Sequence, residues 1–129
     1  EVIEWNRTYL KELNGELLDD PCVDIKGMDV IDLIQNAEPR TYDAILLDVD
    51  NGPVAMVDAN NDQLYSNSGI RLMCRALKKG GRIVIWSAGP DLKFEKRLGE
   101  FCCKFQRVAA KVYDGAKRAR HMLYTLDPN

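Results

Sequence analysis

Two carboxylates one residue apart, Asp48 and Asp50, close the stretch Tyr42-Asp43-Ala44-Ile45-Leu46-Leu47-Asp48-Val49-Asp50-Asn51-Gly52-Pro53. The residues before them form a short apolar run of the kind that makes a parallel strand covered by helices on both faces. In sheets of that type ligands bind where the carboxyl ends of the strands open into a crevice. Carboxylates placed there can hold a cationic group, and one of them can take a proton from it at neutral pH. The plainer alternative is a loop aspartate or helix cap, a role open to either residue.

The elements that position this pair follow from the pattern around it. Val2, Trp5, Tyr9 and Leu13 recur at helical spacing with Glu1 and Glu4 in the first turn, which predicts a helix over 1–14. The helix is already under way at Glu1, so a piece of a longer protein is expected. Cys22–Lys26 reads as a short strand after Asp20-Pro21. Asp29 caps a helix whose apolar face is Val30, Leu33, Ile34 and Ala37, closed by Pro39. The strand Asp43–Leu47 comes next, and a polar loop over 51–63 follows, long enough to cover a substrate. A helix from Ser66 presents Ile70, Met73, Cys74 and Leu77 and is expected to stop at Gly80-Gly81. Arg82–Ser87 is a second buried strand. Asp91 opens a helix carrying Phe94, Leu98, Phe101 and Cys102, and Phe105–Tyr113 and Arg118–Leu126 flank the turn Asp114-Gly115 as an antiparallel pair. The order is that of an α/β domain with a mostly parallel sheet and an antiparallel end.

Composition sets bounds on function. At 129 residues and 46% apolar content the chain is at most one domain, 1–129. Its net charge of −2 and lack of a long basic block argue against nucleic-acid binding through phosphates. No apolar run approaches about 20 residues, the length that spans a bilayer, and no signal peptide is evident. No membrane partner is expected. Cys22, Cys74, Cys102 and Cys103 lack metal-ligand spacing and His121 is the single histidine, so no metal is expected and the cysteines read as buried thiols in a reducing cytoplasm. His121 itself reads as a sheet-face residue, and Lys78-Lys79 and Lys117-Arg118-Arg120 as solvated charges.

Taken in this order, the segments resemble the spermidine synthase-like, polyamine aminopropyltransferase-like branch of the class I S-adenosylmethionine-dependent methyltransferase superfamily. The resemblance rests on Glu1–Asn6, Gly27-Met28-Asp29, Tyr42–Pro53, Leu64-Tyr65-Ser66 and Leu77–Ser87. It implies a Rossmann-like class I methyltransferase fold with strand order three-two-one-four-five-seven-six, and a chain lacking the first two strands. It also implies a co-substrate, S-adenosylmethionine or its decarboxylated form, whose aminopropyl or methyl group passes to a small amine or related acceptor. Asp29 would bond the adenine amino group, with Met28 and Val30 near the ring. Asp48 matches the aspartate that serves as base and ligand for the amine, Asp50 the amine-anchoring aspartate, and Pro53 the proline against adenine. Tyr65 stands where an aromatic residue follows the substrate loop. The motif here lacks the hydroxyl residues between its two aspartates and the proline directly after the second, so polyamine specificity is not implied by it. Partners would be small molecules, with a homodimer among the assemblies open to the protein.

Three other readings stay open at this point. One is a transferase-fold remnant or interaction module without an active site. Another is a haloacid-dehalogenase-like phosphatase, for which Asp48 and Asp50 supply the D-x-D and Ser87 a phosphate-binding hydroxyl, but no downstream acidic pair for magnesium is found. In a response-regulator receiver Asp48 would be the phosphoacceptor, yet the following loop is too long and Ser87 stands where a lysine is needed.

Overall fold

Apolar runs of five or six residues cannot satisfy their own backbone, so they pair. β1 (Tyr42–Leu47) and β2 (Leu77–Ser87) do so in parallel, in register from Ala44↔Arg82 to Leu47↔Ile85. β3 (Lys104–Ala110) and β4 (His121–Asp127) are antiparallel to each other, and β4 lies antiparallel to β2 on its other side. The order β1-β2-β4-β3 inserts the last strand between the parallel pair and its own hairpin partner, as the resemblance implies. This is a Rossmann-like α/β arrangement. The computed structural model describes residues 1–15, 17–49, 52–54, 62–101, 104–111, 113–115, 117 and 120–128. Among them no helix is long and apolar enough to cross a membrane.

One sheet face carries the core. Leu47, Ile83, Ile85, Tyr124 and Leu126 alternate inward and are buried, and helices α4 (Asn67–Ala76) and α5 (Leu92–Glu100) bring Ile70, Met73, Phe94 and Leu98 against them. Helix α3 (Val30–Gln35) adds Ile34, with Val30 and Ile31 partly buried. The cap expected at Asp29 forms, and Ser66 and Asp91, where helices are expected to start, cap theirs as well. The Asp29 carboxylate accepts from the Ile31 amide, the Ser66 hydroxyl from that of Gly69, and Asp91 from those of Lys93 and Phe94.

Five expectations need correction. The helix expected over 1–14 is two short pieces, α1 (Val2–Thr8) and α2 (Lys11–Asn14), broken at Tyr9-Leu10. None of the residues in the two pieces is buried, Tyr9 and Leu13 being 79% and 83% exposed, and short helices with little tertiary packing are marginal. The strand expected at Cys22–Lys26 is absent, since among the described residues no strand lies beside it to complete a ladder. Cys22 is exposed there, contrary to the buried thiol expected, while Cys74 is half-buried and Cys102 and Cys103 lie outside the described residues. Helix α4 stops at Ala76, because Leu77 turns extended, buries its side chain and pairs with Tyr42. Gly80, at φ 80°, instead serves an irregularity in β2, where the register jumps from Tyr42↔Leu77 to Ala44↔Arg82. Finally, among the described residues β1 is covered on one face only. Ile45 and Leu47 face the core, whereas Leu46 is 76% exposed.

Tyr124 ties β4 to the start of α5. Its hydroxyl accepts from the Asp91 amide at 2.8 Å and donates to Glu95 Oε1 at 3.1 Å, while Glu95 Oε2 receives Arg107 at 2.9 Å. Burial is the main cause that raises the Tyr124 pKa above its ordinary value, opposed by the Asp91 amide and helped by the Glu95 carboxylate. A raised folded-state value stabilises the fold below the unfolded tyrosine pKa of about 10, and that stability is lost as pH rises through the higher folded value. Tyr124→Phe should cost about 1–3 kcal/mol at neutral pH by leaving the Asp91 amide without its acceptor. Urea unfolding of the two proteins should also show less alkaline destabilisation above pH ~10 in the variant.

Candidate active site

Asp48 follows directly on β1, so the parallel register Leu47↔Ile85 sets it at the same end of the sheet as Trp86 and Ser87. Its side chain is exposed, and among the described residues it takes no hydrogen bond or ion pair. A capping aspartate spends its carboxylate on the backbone; this one is available. Asp50 lies outside the described residues.

The chain after Asp48 is held down by its own backbone. The Val49 carbonyl accepts from the Gly52 amide at 3.1 Å and from the Tyr65 hydroxyl at 3.2 Å. Gly52 has φ 70° and presses on the end of β2, where a Cβ would fall 2.5 Å from the Trp86 carbonyl oxygen and 2.9 Å from Ser87 Cα. Only glycine suits both demands. The turn Gly52–Val54 thereby brings Pro53, which is buried, against the end of the sheet.

Pro53 and Tyr65 share an open cleft of about 550 Å³ with Asp62, Asp91, Lys93 and Arg97. Tyr65 is 1% exposed, its ring edge on Phe94 at 5.8 Å, and its carbonyl receives Arg97 Nη1 at 2.6 Å. Its hydroxyl is committed to the loop, so Tyr65 braces the cleft from behind.

Met28, Asp29 and Val30 lie at the start of α3 and do not line this cleft. Met28 is 51% exposed and Val30 is half-buried against the core. Asp29 spends Oδ1 on the Ile31 amide at 2.8 Å, which leaves Oδ2 open to an N–H donor. Pro53 and Tyr65 thus share a cleft near the sheet end at which Asp48 leaves β1, while Asp48 and Asp29 themselves do not line that cleft.

Arg97, Asp62 and the inward role of Asp91 were not read from the sequence. Arg97 lies one turn after buried Phe94 on α5, a spacing that could have placed it at the cleft. The sequence places Asp91 at the opening of α5, and the structure adds that it lines the cleft. His121 is found in the sheet as expected, its ring edge-on to Trp86 at 4.8 Å.

A family model described as spermine/spermidine synthase domain matches residues 1–117. Among similar curated proteins, the polyamine aminopropyltransferase of Prochlorococcus marinus (strain NATL2A) is 29% identical over 97 residues, covering 74% of this chain and 31% of that protein. That of Mycobacterium tuberculosis (strain CDC 1551 / Oshkosh) is 31% identical over 91 residues, covering 69% of this chain and 17% of that protein. The chain therefore spans less than a third of the length of these relatives.

The contact of Gly52 with β2 can be tested by substitution. Gly52→Ala should lose about 1–3 kcal/mol to overpacking, with ~1–2 kcal/mol more for the left-handed backbone. Gly80→Ala, at φ 80° but with nothing within 4 Å of the added Cβ, should lose only the second amount in the same urea titration.

Proposed function

For a chain that belongs to the spermine/spermidine synthase family, we propose the following activity: transfer of the aminopropyl group of decarboxylated S-adenosylmethionine to a small amine. The observation that carries this reading is the exposed Asp48 carboxylate at the end of a parallel strand, without a partner among the described residues. The names of the two similar proteins point to the same chemistry for those proteins.

A primary amine is protonated at neutral pH and cannot attack carbon until it gives up that proton. In this reading Asp48 binds the ammonium and takes the proton. The freed nitrogen then attacks the aminopropyl carbon beside the sulfonium. The N–C bond forms, the C–S bond breaks, and its electron pair stays on sulfur, which leaves as a neutral thioether. No acid is required for that departure. The protein's share is orientation and a proton acceptor.

The residues present suit such a co-substrate. Asp29 Oδ2 is an open acceptor for the adenine amino group, with Val30 and Met28 as apolar neighbours. Pro53 would lie against the nucleoside, Asp50 would anchor the far end of the amine, and Tyr65 would brace the wall behind it. Among the described residues no hydrogen bond or ion pair joins Asp29 to Asp48, so the nucleoside itself would bridge them.

Full-length protein incubated with labelled donor and a panel of diamines should yield a labelled polyamine and the nucleoside thioether. Asp48→Asn should keep thioether binding and lower turnover about 10²–10⁴-fold, since the proton acceptor is gone. Phosphate release from a monoester with magnesium, and no transfer to any amine, would overturn the reading. Asp29→Ala should weaken nucleoside binding by roughly 1–3 kcal/mol in calorimetry; unchanged affinity would remove Asp29 from the site.

A further inference from the structure

A second open cleft, of about 420 Å³, lies at the other end of the sheet, where β1 and β2 begin and β4 ends. From Tyr42 at the start of β1 to Asp48 is six residue steps, roughly 20 Å of extended chain, and the two clefts share no lining residue. Arg40, Arg75, Lys78 and Lys79 line it, with Pro39 and Leu77 among the apolar walls. Among the described residues no acidic side chain lines it.

Two of these four cations already have structural roles. Arg75 Nη2 donates to the Gln35 and Ala37 carbonyls, each at 2.9 Å, and ties the end of α3 to α4. Lys78 pairs with Asp43 at 2.7 Å, and a second carboxylate at this end, Asp127, is held by Arg82 at 2.6 Å. Neither the Arg40 guanidinium nor the Lys79 ammonium has a hydrogen bond or ion pair among the described residues.

The backbone at Arg40 is a second observation. Arg40 is the one non-glycine residue with positive φ among the described residues, at 61°. Its amide donates to the Arg75 carbonyl at 3.0 Å, and that of Thr41 to the Ala76 carbonyl at 2.8 Å. Those bonds cover carbonyls at the end of α4 that would otherwise repel an anion. An arginine is strained in this conformation where glycine is not. A side chain retained under strain suggests use of that side chain.

We propose that this cleft binds a compact multivalent oxyanion, inorganic phosphate species or the polyphosphate tail of a nucleotide, between Arg40 and Lys79. Guanidinium grips such oxygens two at a time, ammonium acts as a point charge, and Arg75 and Lys78 add positive field. The inference stands apart from the transfer reaction and does not depend on it.

Calorimetric titration of the full protein at low ionic strength, where exposed charges are least screened, tests it with inorganic pyrophosphate, ATP and adenosine as separate arms. Pyrophosphate should bind saturably, ATP should compete with it, and adenosine should not. Arg40→Gly keeps the backbone conformation, so its thermal midpoint should stay near that of the parent while pyrophosphate affinity falls about five-fold, ~1 kcal/mol. Lys79→Gln should weaken binding similarly. Absence of saturable pyrophosphate binding in the millimolar range, or binding unchanged in both variants, would overturn the proposal. Competition by adenosine equal to that by ATP would likewise place the ligand elsewhere.

Discussion

The parallel register Leu47↔Ile85 is the constraint on which the rest of this structure depends. It sets the end of β1 beside the end of β2, so that Asp48 leaves the sheet level with Trp86. Gly52 can then fold its turn onto the Trp86 carbonyl and Ser87. The same register puts Leu47, Ile83 and Ile85 on the face that α4 and α5 cover. A slip of one residue would send that face to solvent and turn Asp48 inward. Burial of the core and exposure of the carboxylate are two results of one pairing.

Bracing at the sheet end comes from polar groups that the core fixes in place. Tyr65 and Tyr124 are both buried, each ring packed edge-on against Phe94, and each hydroxyl is spent on backbone at a loop or helix start. One holds the chain after Asp48; the other holds the start of α5. Arg97 then joins α5 to the Tyr65 carbonyl. The cleft wall is therefore continuous with the core, which limits how far it can drift from the strand end.

Much of this was legible in the residues. The runs Ile45-Leu46-Leu47 and Ile83-Val84-Ile85 are strand-forming by composition, and Asp29, Ser66 and Asp91 are caps by type and position. The hairpin around Asp114-Gly115 was readable too, although its strands are shorter than the apolar patterns suggested. What failed were features fixed by neighbours rather than by local pattern. The stripe Val2, Trp5, Tyr9 and Leu13 has helical spacing, but spacing alone does not supply a packing surface. Cys22–Lys26 has strand composition and no adjoining strand. Gly80-Gly81 looked like a helix stop because a glycine pair reads alike at a helix end and at an irregularity in a strand.

For the site, the sequence pointed to Asp48 through its place after an apolar run, and among the described residues that carboxylate has no partner. Arg97 and Asp62 join the cleft through tertiary approach, for which a single sequence carries little signal. In the proposed reaction the nucleoside would span from Asp29 to the turn at Gly52. Amide hydrogen exchange of the full-length protein, with and without the thioether product 5′-methylthioadenosine, tests that claim most directly. Slower exchange at both Ile31 and Gly52 on binding is the predicted result. Binding that leaves both amides unchanged while protecting residues elsewhere would contradict it.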